Sequence, residues 1–330
     1  MTKGQLEELI NDFAGKAAAE VKIPAATLCR IIQKALDGGE IDAESLPSSL
    51  EQWYKSRFSQ RLVYIDEDGY AKMCIDALKI LNTTAASDYG SSRQRDLGQL
   101  WGDMTRGYLA EFALAKFLKQ KWNIDVELGH EIGELADYLP ADIHTVQKSG
   151  EQKRPPNLKI GIKGSKWNGI WLDIPGAQFH HSDVHIFVKV GTSRDHLFAY
   201  FKHISVFKDK ILKKGVEVGS LDQQEAQSLY DQLPTFEPVP AYITGFVPSN
   251  LEFKDLDYRG YKGRTRFTIS GWNGRIRPGD VELVREKEGV SGTPPFEGIG
   301  KFSHENGYLF NTGSLLWKDE DWQSRIIDRL

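Results

Sequence analysis

The stretch Leu158-Lys159-Ile160-Gly161-Ile162-Lys163-Gly164-Ser165 decides how the chain is read. Side chains of a strand alternate between its two faces, so Leu158, Ile160 and Ile162 share one face and Lys159, Gly161 and Lys163 the other. The first set reads as a core-facing stripe, which leaves Lys163 on the opposite side, just ahead of a Gly-Ser turn. Upstream, Asp142 stands in Pro140-Ala141-Asp142-Ile143, a short carboxylate presented where another strand begins. The polar stretch from Ser149 to Pro156 has a length that suits an antiparallel pair, and such pairing sets Asp142 beside Lys163.

Toward the N-terminus, LGQLWGDMTRGYLAEFALAKFLKQK from Leu97 to Lys121 spaces Leu97, Leu100, Met104, Tyr108, Ala115 and Leu118 by three, four or seven, the pattern of one long amphipathic helix carrying Glu111. After Asn123 strand-like pieces follow quickly: Ile124 to Leu128, Asp142 to Val146, Leu158 to Lys163, Gly169 to Ile174, Val184 to Val190 and Leu197 to Phe201. The expected architecture is an α/β fold with a mixed central sheet and flanking helices at residues 91–233. The pattern before it is helical, punctuated at Gly38-Gly39 and Asp66 to Gly69, with one helix opened by Pro24 and another from Leu50 to Leu62. This gives a helical N-terminal region, residues 1–90. A helix capped by Ser220 runs through Leu233, the segment Pro234 to Pro240 breaks the chain, and residues 234–330 read as a mostly β region. Its strands lie near Ala241 to Phe246, Arg266 to Ser270 and Val281 to Val284, and a Trp-bearing helix follows from Asp319.

A helix acid, a strand aspartate and a strand lysine form a chemically meaningful set. Hydrolysis of a phosphodiester is helped by a divalent cation that polarises phosphoryl oxygens and acidifies water, and hard Mg²⁺ takes carboxylate oxygens. An ammonium beside it orients or deprotonates the nucleophile and offsets charge developing on phosphorus. Taken singly, each residue has a simpler use. Asp142 could terminate a strand, Lys163 could face solvent, and Glu111 could pair with Arg106 or Lys116 on the helix surface for about 0.3 to 0.5 kcal/mol.

In that order of elements the chain resembles the PD-(D/E)xK nuclease superfamily, the fold of many restriction endonucleases. The matching pieces are Arg106 to Ala113, Pro140-Ala141-Asp142, and Ile160 to Ser165 with the apolar strands after it, together spanning Arg106 to Val190. The resemblance implies a restriction-endonuclease-like core, with Asp142 as first ligand of Mg²⁺, Lys163 as catalytic lysine and Glu111 as the helix acid and further metal ligand. It implies in-line attack of water on double-stranded DNA, a site-specific type II enzyme, and a homodimer. Gly161 stands where the family has an Asp or Glu. Either the carboxylate comes from another element, Glu111 and then Asp173 being the candidates, or the chain is a nuclease-fold DNA-binding module without catalysis. A repair or junction nuclease on the same fold is a further alternative.

Basic and aromatic residues interleave in Asp257 to Arg266 and in Gly271 to Arg277, which makes Arg259, Lys262, Arg264, Arg266, Arg275 and Arg277 the expected DNA contacts. Lys159, Lys166 and Arg154 extend that surface toward the site, and Ser91 to Arg95 is a lesser candidate. The alternative is a set of solvated turns. His180-His181 with Asp183 and His185 invites a transition-metal reading, set aside because adjacent residues of an extended chain face opposite ways. The 330 residues are 40% hydrophobic and 27% charged, which excludes disorder and collagen-like repetition. No apolar run approaches the roughly 18 to 20 residues of a membrane span, and MTKGQLEELINDF is no signal core, so a soluble cytoplasmic protein is expected. Cys29 and Cys74 make no disulfide framework. With a net charge of -4, binding to DNA has to rest on local patches.

Overall fold

Thr2 opens helix α1, Lys3–Ala17, through a capping box in which its hydroxyl accepts from Gln5 N–H and the Gln5 side chain accepts from Thr2 N–H. Helix α2, Ala25–Asp37, follows Pro24, stops at Gly38, and buries Leu28, Ile31, Ile32 and Ala35 on one face. Helix α3, Ser48–Gln52, runs into a π-helical turn at Trp53–Phe58 and a 3-10 turn at Ser59–Arg61, and the chain leaves it as strand β1, Leu62–Ile65. The helical pattern expected up to Lys121, punctuated only at Gly38-Gly39 and Asp66 to Gly69, is therefore corrected at β1: Val63 and Ile65 are buried in alternation, and four residues are too few for periodicity to separate strand from helix. Asp66 accepts from Gly69 N–H at 3.0 Å at the start of α4, Glu67–Thr84, and α5 spans Leu97–Trp122.

The computed structural model describes residues 2–84, 97–129, 142–193, 195–250, 258–260, 267–269, 273–276, 295–296, 300–301 and 307–330. Beyond α5 come β2 (Asp125–Leu128), β3 (Ile143–Gln147), β4 (Ile160–Lys166), β5 (Trp171–Pro175), α6 (Gly176–Phe179), β6 (Val184–Val190), α7 (His196–His203), α8 (Lys213–Glu217), α9 (Gln223–Gln232) and β7 (Val239–Pro248). Short strands β8 to β12 follow at Tyr258–Gly260, Phe267–Ile269, Asn273–Ile276, Pro295–Phe296 and Gly300–Lys301. Strand β13, Gly307–Asn311, and helix α10, Asp319–Trp322, come last.

Strands order as β1-β7-β6-β4 in a mixed sheet: β4 runs parallel to β6, β7 antiparallel to β6, and β1 antiparallel to β7. The architecture is mixed α/β, and this one sheet draws strands from all three stretches distinguished in the sequence. Leu109, Ala110, Ala113 and Leu114 of α5 pack on one face against Ile160, Ile162, Ile186, Val188 and Ile243. Contact is closest at Gly164, where a Cβ would come within 2.9 Å of the Ala110 methyl, so the glycine lets helix and strand meet. On the other face, β5 and β13 belong to a second sheet, β10-β13-β5, and Leu172, Ile174, Phe179, Tyr308 and Phe310 cover Phe187 and Val247.

The N-terminal helices reach the same sheet through buried charge. Lys189 of β6 donates to Glu40 Oε1 at 2.9 Å, while Trp53 Nε1 and the Tyr242 hydroxyl donate to Oε2 at 3.0 and 2.8 Å. Arg57 Nε lies 3.9 Å from Glu40 Oε2, and its Nη2 donates to the carbonyls of Thr244 and Thr312. Burial alone would push the Glu40 pKa up; the Lys189 and Arg57 charges and the hydrogen bonds outweigh it and pull it down to about 2.

Two expectations need correction. Leu197 to Phe201 is helical within α7, because His196, Tyr200 and His203, at steps of four and three, all meet the Phe236 ring. Aromatic content suggested a strand, and packing overrode it. The helix expected to begin at Ser220 is capped by Asp222, which accepts from Glu225 N–H at 2.8 Å while the Glu225 side chain accepts from Asp222 N–H. Asp222→Ala should therefore cost about 1 kcal/mol, read as a lower midpoint in urea, whereas Ser220→Ala should leave the midpoint unchanged. Among the described residues no helix is long and apolar enough to cross a membrane. The expected strand at Val281 to Val284 lies outside the described residues.

Candidate active site

Strand β4 is the edge of the mixed sheet, and Asp142 lies along that edge. Its N–H donates to the Ile160 carbonyl at 3.0 Å, and its Oδ2 accepts the Ile162 N–H. A side-chain oxygen thus takes the place of a neighbouring strand's carbonyl and fixes the carboxylate next to Lys163. The route differs from the hairpin expected from the sequence. Strand β3 forms its ladder with β2, and Val146 bridges Arg154, so the segment after β3 folds back on β3 itself. Among the described residues β3 and β4 form no ladder, and Asp142 carries the backbone contact to β4.

Lys163 is half-buried, and its ammonium donates to Gln178 Oε1 at 2.6 Å. Burial lowers its pKa from the ordinary lysine value, while the charges of Asp142, Glu111 and Asp173 oppose the shift. These carboxylates come from three places: the edge of β4, the helix α5 and the strand β5. Each is near enough to act on one ammonium. On the same helix Arg106 bonds Asp103 at 3.0 Å and Lys116 bonds Asp66 at 3.1 Å. Gln178, on the short α6, was not singled out in the sequence; nothing local distinguishes it, and only the fold carries it to Lys163.

Gly161 faces His185, its partner across the β4–β6 ladder. A Cβ on residue 161 would stand 2.8 Å from His185 Nδ1 and 2.9 Å from Ser182 Oγ. His185 is 1% exposed, its ring is stacked on Phe179, and its Nε2 lies 3.0 Å from the Phe179 carbonyl. Since a carbonyl only accepts, Nε2 carries the proton and Nδ1 the lone pair. Burial pushes the His185 pKa down to about 4, helped by the Lys163 and His180 charges and opposed by the bond to Phe179. The other members of the histidine cluster diverge: His180 Nε2 pairs with the Tyr308 hydroxyl at 3.0 Å, and Asp183 accepts the Lys159 N–H at 2.8 Å.

Among the described residues no three His, Cys, Asp or Glu side chains stand close enough together to ligate one ion. The carboxylates whose charges act on Lys163, Asp142 and Glu111 among them, are nonetheless the chemical type of donor that Mg²⁺ takes. Lys159 and Lys166 are both exposed, near opposite ends of β4, about 13 and 10 Å along the strand from Lys163 at about 3.3 Å per residue. Of the arginines expected to touch DNA, Arg259 and Arg275 stand in β8 and β10, whereas Lys262, Arg264, Arg266 and Arg277 lie outside the described residues, as do Ser91 to Arg95. No protein-family model, curated protein or solved structure matches the chain.

Proposed function

We propose that this chain is a Mg²⁺-dependent endonuclease that hydrolyses phosphodiester bonds of double-stranded DNA, with a restriction-endonuclease-like core of the PD-(D/E)xK kind. The observation that carries the reading is Lys163, half-buried on the edge strand of a mixed sheet, with Asp142 and Glu111 from two different elements acting on its ammonium. Asp142 and Glu111 hold the cation, which when bound polarises the phosphoryl oxygens and acidifies water. Lys163, steered by Gln178, positions the nucleophile and offsets charge on phosphorus, and the lowering of its pKa by burial eases transfer of a proton. Lys159 and Lys166, with Arg259, Lys262, Arg264, Arg266, Arg275 and Arg277, contact the DNA backbone and base edges. Site-specific type II cleavage by a homodimer is the form of activity proposed.

One observation favours a second reading. Gly161 and the closed space above it fit a nuclease-fold module that binds DNA without cutting it. Incubating the pure protein with phage DNA, with and without Mg²⁺, separates the two. Discrete Mg²⁺-dependent fragments with 5′-phosphate ends support the type II enzyme, and cutting confined to branched or damaged substrates points to a repair nuclease. Tight duplex binding with no product leaves the binding module, and neither binding nor cutting rejects the nucleic-acid reading.

A further inference from the structure

The helical stretch that follows α7 is covered on one side only. After Ile204 the chain forms a π-helical turn, Phe207–Leu212, that continues into α8, and no residue from Ile204 to Val218 is buried. Leu212 and Val216 turn toward α9, where with Ala226 and Tyr230 they line the groove between the helices. Ile211 and Val218 do not line it. Seven residues apart, they share another face, with Lys214 between them. Phe207 stands one turn before Ile211 and meets the ring of Phe198 from α7 at 5.3 Å, and Ile204 is exposed at the end of α7. Eight large apolar side chains are exposed among the described residues. Four of them, Phe198, Ile204, Ile211 and Val218, each 42 to 60% exposed, fall within this one stretch.

Positive charge is concentrated in the same place. Phe198 to Val218 holds Lys202, Lys208, Lys210, Lys213 and Lys214 against Asp209 and Glu217, in a chain whose net charge is -4. Glu217 pairs with Lys214 at 3.2 Å, whereas among the described residues Lys208, Lys210 and Lys213 enter no ion pair. The combination selects among partners. Phosphates of a duplex would engage the lysines and leave the apolar side chains uncovered. A second copy presenting the same face would set lysine against lysine. A partner helix lies in a groove, and these apolar side chains stand outside the one between α8 and α9. A layer of anionic headgroups over hydrocarbon satisfies both requirements, since apolar side chains enter the headgroup boundary while lysines meet the lipid phosphates.

We propose that the outer face of α7 and α8, carried by Phe198, Ile204, Ile211 and Val218 with Lys210 and Lys214, docks the protein on an anionic phospholipid surface. The attachment is peripheral, made by side chains of helices far shorter than the roughly 20 residues of a membrane span. It does not depend on the nuclease reading, and its test involves no cleavage.

The full chain is sedimented with vesicles of phosphatidylcholine containing about 30% phosphatidylglycerol. It should bind these vesicles, and bind at least tenfold less to phosphatidylcholine alone or in about 1 M salt, where screening acts within about 3 Å. Ile211→Asp should weaken binding by about tenfold or more, and Lys210→Gln with Lys214→Gln by about twentyfold, with circular dichroism unchanged in both. Ile75→Asp, at an equally exposed apolar position on α4, should bind like the unaltered protein. Equal binding to vesicles with and without phosphatidylglycerol overturns the proposal, as does full binding by the Ile211 and lysine variants. Absence of vesicle binding overturns it too. In that event, loss of duplex affinity in the lysine variant would assign the face to DNA, and conversion of a dimer to a monomer by Ile211→Asp in analytical ultracentrifugation would assign it to a second copy.

Discussion

Replacing Glu40 by Ala is expected to cost about 3 to 5 kcal/mol of folding free energy, measured by urea or guanidinium denaturation at pH 7. The carboxylate is fully enclosed and is the common acceptor of Lys189, Trp53 and Tyr242, with Arg57 close by. Removing it strands a 1%-exposed lysine charge inside the protein, which is why the loss should exceed that of any surface ion pair. Glu40→Gln, which keeps the shape and one carbonyl acceptor, should fall between the variant and the parent. A loss under 1 kcal/mol for Glu40→Ala would show that the network contributes little. The pH dependence has a definite sign. A carboxyl whose folded pKa is depressed from 4.5 to about 2 contributes stability that is present in full above pH 4.5 and disappears as pH falls from there toward 2, about 3 kcal/mol in all. Glu40→Gln should flatten the stability curve in that window.

If the chain cleaves DNA as proposed, Lys163→Met is expected to slow that cleavage by about a thousandfold under single-turnover conditions while leaving the thermal midpoint nearly unchanged. Methionine keeps the length of the stem and removes the ammonium that Gln178 and the surrounding carboxylates engage. Lys163→Arg preserves the charge but has no proton to release near neutral pH, so it should be nearly as slow if the lysine transfers a proton and much faster if it only neutralises charge. Asp142 calls for a different substitution. Its Oδ2 accepts the Ile162 N–H, so Asp142→Ala also removes a bond from the edge of the sheet; Asp142→Asn can keep an acceptor there and isolates the loss of charge. Cleavage by Lys163→Met at a rate within threefold of the unaltered protein would remove Lys163 from the mechanism.

Alternation along Leu158 to Lys163 was legible because β4 is apolar on one face only, and the long helix α5 was legible from its apolar spacing, although the face it buries runs from Leu100 through Leu109, Ala113 and Phe117 to Leu118 and leaves Leu97 exposed. The same local logic could not find β1, four residues long and flanked by helix, nor the helical state of α7, where aromatic residues mimic a strand. In the candidate site, Asp142, Glu111 and Lys163 were singled out by residue type and order, and the charges of the two acids act on the lysine. Their companions were not. Gln178 approaches Lys163 across a turn between two sheets, and His185 sits inside the apolar run Val184–Val190, where it reads as one more core residue. The Glu40 network was equally hidden, since its members lie in different elements and Lys189 is one of two polar side chains in a strand otherwise apolar. Spatial neighbours set by topology leave no periodic trace.

The position of β1 also bears on the order in which the molecule can assemble on a ribosome. Its ladder partner is β7, and Arg57 just before it bonds carbonyls 187 and 255 positions downstream. The helices made first can pack on one another, since their buried cluster draws only Tyr242 from beyond Phe58, but they wait for the last third of the polypeptide before they can dock on the sheet. Such long-range pairing favours slow folding and makes closure of β1 on β7 a late step of assembly.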